Sequence, residues 1–304
     1  MNPPASSGMH RFAVFTASCT LLLLVAGALV TSNDAGLSVP DWPLSYGSLA
    51  PPMVGGIFYE HGHRMVATFV GLLTIVLAVW LWRREPRPWV RRLGLAALGA
   101  VVAQGVLGGL TVVFFLPLPI SVAHACLAQI FFGTVVSLAL FTSRWWQSDP
   151  PRLEDAGTPP VRSLAMCSVA AVFLQLVLGA ALRHGGFGIA PHLIGAAAVT
   201  LLVFWTAGAL RRRYPDTPVL CRSSRLLHVV LGVQVLLGGA AWWSRVVARE
   251  FPQPIPLMVW LTVLHTVTGA LVLAAALLVT LVCYRILHPW RERALASRPE
   301  QATL

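Results

Sequence analysis

The chain has 304 residues, of which 57% are hydrophobic and only 11% charged, where ordinary soluble domains carry roughly a quarter. This excludes a soluble globular protein, and at about 20 apolar residues per membrane crossing no length remains for a separate soluble domain. The net charge is +11 and all 22 basic residues are arginine, so the charge is to be tested against membrane topology before any nucleic-acid reading.

Apolar runs fall at Phe12–Thr31, Met65–Trp82, Leu93–Phe115, Val122–Phe141, Leu164–Leu182, Leu193–Leu210, Leu226–Trp243 and Leu257–Tyr284. Each is long enough to span, which predicts an all-α polytopic membrane protein of eight helices. The first run follows Arg11 and contains Ala26-Gly27-Ala28, as a signal peptide would. It exceeds the usual apolar core of such a peptide and recurs later in the chain, so it is read as a retained span. If the runs alternate direction, eighteen arginines fall on one side, leaving Arg64, Arg183, Arg245 and Arg249 on the other. The positive-inside rule then puts both termini in the cytoplasm, and the topology accounts for the basic charge without nucleic acid.

The halves repeat. Gly27-Ala28-Leu29-Val30 leads on to Gly36-Leu37-Ser38, and 152 residues later Gly179-Ala180-Ala181-Leu182 leads on to Gly188-Ile189-Ala190. Gln104-x-x-x-Gly108-Gly109 in the third run matches Gln234-x-x-x-Gly238-Gly239 in the seventh. Four spans per half in the same orientation predict two pseudo-symmetric four-helix bundles, residues 1–150 and 151–304.

Of nine histidines, His63, His124, His192 and His265 each lie near the outer end of an even-numbered span and obey the repeat. Two facing imidazoles inside a four-helix bundle suit bis-histidine haem ligation, so these four are the candidate iron ligands. His228 lies at the wrong depth, while His10 and His288 are cytoplasmic. His61 projects away from His63, and His184 sits in an outer loop; either is placed to touch a propionate.

The longest outer loop, about Ser32 to Gly62, runs Gly36-Leu-Ser-Val-Pro-Asp41-Trp42-Pro43-Leu-Ser-Tyr46-Gly47 and ends in Glu60-His61-Gly62-His63-Arg64. Two prolines around Asp-Trp predict a rigid cap over the first bundle. On a helix start Glu60 and His63 share a face, and a carboxylate at a membrane pocket needs a partner or a task. Arg64 is either that partner or a propionate anchor. The second bundle has Ile189-Ala190-Pro191 in the corresponding place, which points to chemistry in one pocket and electron transfer or stabilisation in the other.

The Gly-Leu-Ser-x-Pro-Asp-Trp-Pro-Leu loop, Glu60-x-x-His63-Arg64, the Gln-x-x-x-Gly-Gly third span and His124 at the head of the fourth together resemble the haem A synthase family. The resemblance implies a membrane oxidoreductase that converts the C8 methyl of haem O to the formyl of haem A by successive hydroxylations, for terminal oxidase assembly. It implies substrate haem between His63 and His124 in the first bundle, haem b between His192 and His265 in the second, and Glu60 as the catalytic carboxylate, with Arg64 alongside. It also implies an electron-transfer partner, the haem O synthase and terminal oxidase subunits as partners, and a bacterial inner membrane as the location. Two axial histidines leave iron no open position, so either one ligand leaves or oxidation proceeds by electron removal and attack of water. Many members carry a cysteine pair where this chain has Val39 and Ser45, and Cys19, Cys126, Cys167, Cys221 and Cys283 lie elsewhere. No outer disulfide is therefore expected.

Two other classes compete. A di-haem b-type electron carrier needs neither Glu60 nor a cap confined to one half. A two-repeat transporter would place carboxylates at the midplane, and no acidic residue lies in any of the eight apolar runs.

Overall fold

The computed structural model describes residues 7–247 and 250–289. Arg249, Arg291, Arg293 and Arg298 of the charge count lie outside the described residues. Among the described residues there are eight helices long and apolar enough to span: α1 (Ser7–Ser32), α2 (Gly55–Arg84), α3 (Pro88–Val113), α4 (Leu118–Phe141), α6 (Val161–Arg183), α7 (Ala190–Arg213), α8 (Pro218–Val247) and α9 (Pro256–Ile286). A four-residue helix, α5 (Arg144–Gln147), follows α4. The protein is an all-α polytopic membrane protein. In lipid, every backbone amide and carbonyl must be satisfied within its own helix, and that requirement turns each apolar run into a helix. Proline occupies the first or second position of α3, α4, α7 and α9, where its missing amide costs no helical hydrogen bond.

One core is built by α1 to α4, around Ala13, Val70, Leu77, Leu81, Val90, Phe131 and Leu138. A second is built by α6 to α9, around Leu164, Val203, Leu210, Leu227, Val279 and Ile286. Smaller clusters join α1 and α4 to α9, with Ala28 against Val259 and Val263, and Phe132 against Ala270 and Ala274. Arg183, ending α6, also ties the two together by donating to the Thr31 carbonyl at 2.6 Å and to Ser32 Oγ at 3.3 Å.

The helices outrun the apolar runs, most of all α2, which begins ten residues before Met65. Hydropathy reads Gly55–Arg64 as loop because it holds Glu60, His61, His63 and Arg64. The backbone continues as helix because Glu60 and Arg64, four apart, pair along it. The loop thus shortens to residues 33–54, and Glu60 lies within a spanning helix rather than ahead of it.

The arginine-rich end carries structure with no periodic signal in the sequence. Leu153–Glu154 (β1) and Leu287–His288 (β2) form a parallel pair. Beside it, buried Asp155 accepts from the Val161 and Arg162 amides at 2.9 and 3.0 Å, satisfying two first-turn donors of α6. Burial, with Asp155 next in effect, pushes the Tyr214 hydroxyl up to about 12. On the other core, Glu85 and Arg87 pair through two oxygens and two nitrogens, and Arg87 donates to Phe141 O at 2.8 Å, tying the α2–α3 turn to α4.

Candidate haem site

Each of the four candidate histidines stands against a glycine on a neighbouring helix. A Cβ built on Gly27 would come within 3.1 Å of the His63 ring, on Gly108 within 3.2 Å of His124, on Gly179 within 3.1 Å of His192, and on Gly238 within 2.9 Å of His265. Real Cβ atoms rarely tolerate such contacts in a close-packed interior. The glycines are therefore seats for imidazoles, in addition to their general use at close helix crossings.

The rings of His192 and His265 lie 6.3 Å apart, centroid to centroid, with planes crossed at 80°. Two imidazoles ligating one metal ion from opposite sides need about 6 Å, since each metal–nitrogen bond is about 2 Å. His265 Nδ1 lies 3.2 Å from the Gln234 carbonyl, and donation there leaves Nε2 to ligate, the usual division of labour in metal-bound imidazoles. His63 and His124 are within electrostatic reach of each other, and both Nδ1 atoms are buried with no hydrogen-bond partner among the described residues. An apolar site of seated imidazoles with unspent nitrogens fits a bis-histidine haem.

Glu60 sits three residues before His63 and is 4% exposed. Its Oε2 accepts from the Val39 amide at 2.8 Å, and its Oε1 accepts from Arg64 at 2.6 Å. Arg64 also donates to the carbonyls of Asp41 and Leu44, both at 2.8 Å, and to Ser45 Oγ at 3.4 Å. A buried carboxylate with partners on both oxygens holds one position, which an unpaired one would not. His61 points into the cap instead of the pocket: its Nδ1 lies 2.8 Å from Ser45 Oγ, with both groups buried. All five cysteines are free. Val39 and Ser45 anchor the cap through a backbone amide and a hydroxyl.

Within the cap, Asp41 accepts from the Tyr46 and Gly47 amides at 2.6 and 2.8 Å. This supports the left-handed backbone of Tyr46, at φ 54. These two amides, Gly47 first, hold the Asp41 carboxyl below the usual carboxylate range. Trp42 reaches across to α3, where a Cβ on Gly109 would meet its indole at 2.6 Å. Gly109→Ala is therefore expected to push Trp42 off α3, costing about 1–3 kcal/mol and exposing the cap to chymotrypsin. Gly109→Ala combined with Trp42→Leu should restore both protection and Tm; if the single substitution leaves cleavage unchanged, Trp42 is not what latches the cap.

The remaining histidines take other places. His184 caps the end of α6 and lies within electrostatic reach of His124. His228 Nδ1 is 2.7 Å from Arg211, with Phe204 against its ring. His10 Nδ1 is 2.9 Å from the Ala139 carbonyl, and the His288 carbonyl accepts from the Asp155 amide.

Sequence reasoning missed one participant, Gln175. Its Nε2 donates to the His192 carbonyl at 2.8 Å and lies 3.0 Å from the ring Nδ1, as Gln104 Nε2 donates to the His124 carbonyl at 3.0 Å. The signal was there, for Gln104, Gln175 and Gln234 each stand four residues before a histidine-seating glycine.

The family model of cytochrome oxidase assembly proteins matches residues 54–191, from the start of α2 to the start of α7. The chain is 36% identical to the haem A synthase of Shouchella clausii over 135 residues, 43% of this chain and 44% of that protein. It is 33% identical to the haem A synthase of Halalkalibacterium halodurans over 155 residues, covering 48% and 51%. It is 28% identical to that of Symbiobacterium thermophilum over 249 residues, covering 72% and 80%. The match spans about half the length of the first two relatives and most of the third. The sequence motifs, the eight long apolar helices and these similarities point the same way: the chain is similar to cytochrome oxidase assembly proteins over residues 54–191, and to haem A synthases over the stretches given above.

Proposed function

We propose that this protein is a haem A synthase, oxidising the C8 methyl of haem O to the formyl of haem A by two successive hydroxylations, the resulting geminal diol losing water. The observation that carries this reading is Glu60, fixed by Val39 and Arg64 one helical turn from His63. Residues 1–150 hold the substrate between His63 and His124, and residues 151–304 hold haem b between His192 and His265. When bound, haem b supplies one-electron redox chemistry, connecting the substrate pocket to an electron-transfer partner.

The chain's own residues do the following. His63 and His124, seated on Gly27 and Gly108, hold the substrate's iron. Glu60 serves as proton acceptor or as counter-charge to a cation developing at the methyl. Either role needs a charge fixed before the reaction begins, and the Arg64 and Val39 contacts supply that. The cap, latched by Trp42 over Gly109, holds Val39 and the Arg64 partners in place around Glu60. The arginine-rich end faces the cytoplasm of a bacterial inner membrane, so both pockets lie toward the outer face. Haem O synthase delivers the substrate, and terminal oxidase subunits receive the product.

The test is co-expression with a haem O source, followed by extraction and separation of the pigments. Haem A should appear only when this chain is present. Recovery of haems B and O alone, with the folded protein abundant, overturns the proposal.

A further inference from the structure

We propose that His63 is the ligand that lets go when substrate haem is exchanged for product, and that a missing glutamine in α1 is what frees it. The inference rests on the haem reading above, under which one pocket must empty at every turnover while the other keeps its cofactor. It concerns which of the four imidazoles is held least.

Three seats share a construction. On α3, α6 and α8 a glutamine stands four residues, about one turn, before the seating glycine: Gln104 before Gly108, Gln175 before Gly179, and Gln234 before Gly238. Residues four apart lie on one face of a helix, so glutamine and glycine address the same histidine. Gln104 and Gln175 donate from Nε2 to the carbonyls of His124 and His192 at 3.0 and 2.8 Å. Gln234 contributes its backbone carbonyl, 3.2 Å from His265 Nδ1. Room is made for two of the side chains: a Cβ on Gly195 would strike Gln175 Oε1, and one on Gly269 would come within 3.2 Å of Gln234 Nε2. Gly195 and Gly269 follow their histidines by three and four residues, on the same faces of α7 and α9.

The fourth seat departs from this. Four residues before Gly27 stands Leu23, which packs with Val66 against the first core. His63 therefore has a seat and no clamp. Among the described residues its ring makes no hydrogen bond, and its Nδ1 is a buried orphan. Rotation of His63 about its side-chain torsions breaks only its bond to the iron, with the electron pair leaving on the imidazole and no oxidant or reductant involved. His124, clamped by Gln104, retains the porphyrin during exchange, and the second pair, held by the Gln175 side chain at His192 and by the Gln234 backbone carbonyl at His265 Nδ1, does not release.

The test uses the purified, haem-loaded protein in detergent, mixed with excess apomyoglobin, with haem transfer followed in the Soret band. Two phases are expected, fast from the His63–His124 pocket and slow from the His192–His265 pocket. Leu23→Gln should slow the fast phase alone by about five- to tenfold, the worth of one hydrogen bond. Gln175→Leu should speed the slow phase alone, and Leu23→Met, which adds no hydrogen-bonding group, should change neither. The inference is overturned if both low-spin haems are present and transfer has one phase, or if Leu23→Gln leaves the fast phase unchanged. If the folded protein binds no low-spin haem, the reading beneath it falls as well.

Discussion

Glu60→Ala is expected to lower haem A formation by about a hundredfold or more, the usual cost of removing a fixed charge or donor from a reacting centre, while both haems stay bound. The separation follows from position. Glu60 precedes His63 by one turn, but its two oxygens are occupied by Val39 and Arg64, and it contributes nothing to the seats at Gly27 and Gly108. Loss of the carboxylate also strands the Arg64 guanidinium. Arg64 retains the Asp41 and Leu44 carbonyls at 2.8 Å, so the cap loosens without detaching. Glu60→Gln keeps an acceptor for the Val39 amide and removes the charge. If charge is what matters, it should be nearly as inactive as Glu60→Ala; if anchoring the cap is what matters, it should recover most activity. Pigment extraction gives the product and low-spin absorbance gives the haem content. Normal haem A from Glu60→Ala would remove this residue from the chemistry.

Much of this was legible in the residues, for reasons that differ by feature. The eight helices are written in the apolar runs because lipid offers the backbone no other partner. The places of the four histidines along those helices follow from counting positions. The cap's inner contacts were not legible, because they join residues with no fixed spacing: Val39 with Glu60, Ser45 with His61, and Trp42 with Gly109. A twin-glycine motif also conceals a division of labour. Gly108 seats His124, and its neighbour Gly109 receives Trp42 from the cap; Gly238 seats His265, and Gly239 meets nothing within 4 Å. The end of the loop was misjudged because hydropathy cannot tell a polar helical turn from a polar loop, and at Glu60 and Arg64 the ion pair runs along the helix itself.

Those glycine assignments carry the second large effect. Gly27→Val should displace the His63 ring, since even a methyl carbon would sit 3.1 Å from it, and a branched side chain in a packed interior forces neighbours off their rotamers. Haem A formation should then fall below detection while haem b is kept. Gly179→Val does the same to His192, so haem b should be lost and roughly half the low-spin absorbance of the fully loaded protein with it. Product should fall too under the proposed function, in which haem b connects the substrate pocket to an electron-transfer partner. Gly105→Val and Gly239→Val are the controls, on the same helices as seating glycines but facing open space. They should leave haem content and product unchanged, since β-branched residues cost a helix only a few tenths of a kcal/mol more than most others. The four variants thus separate a seat from a merely small residue. If Gly239→Val removes as much haem as Gly179→Val, close helix packing and not the imidazole is what these glycines serve.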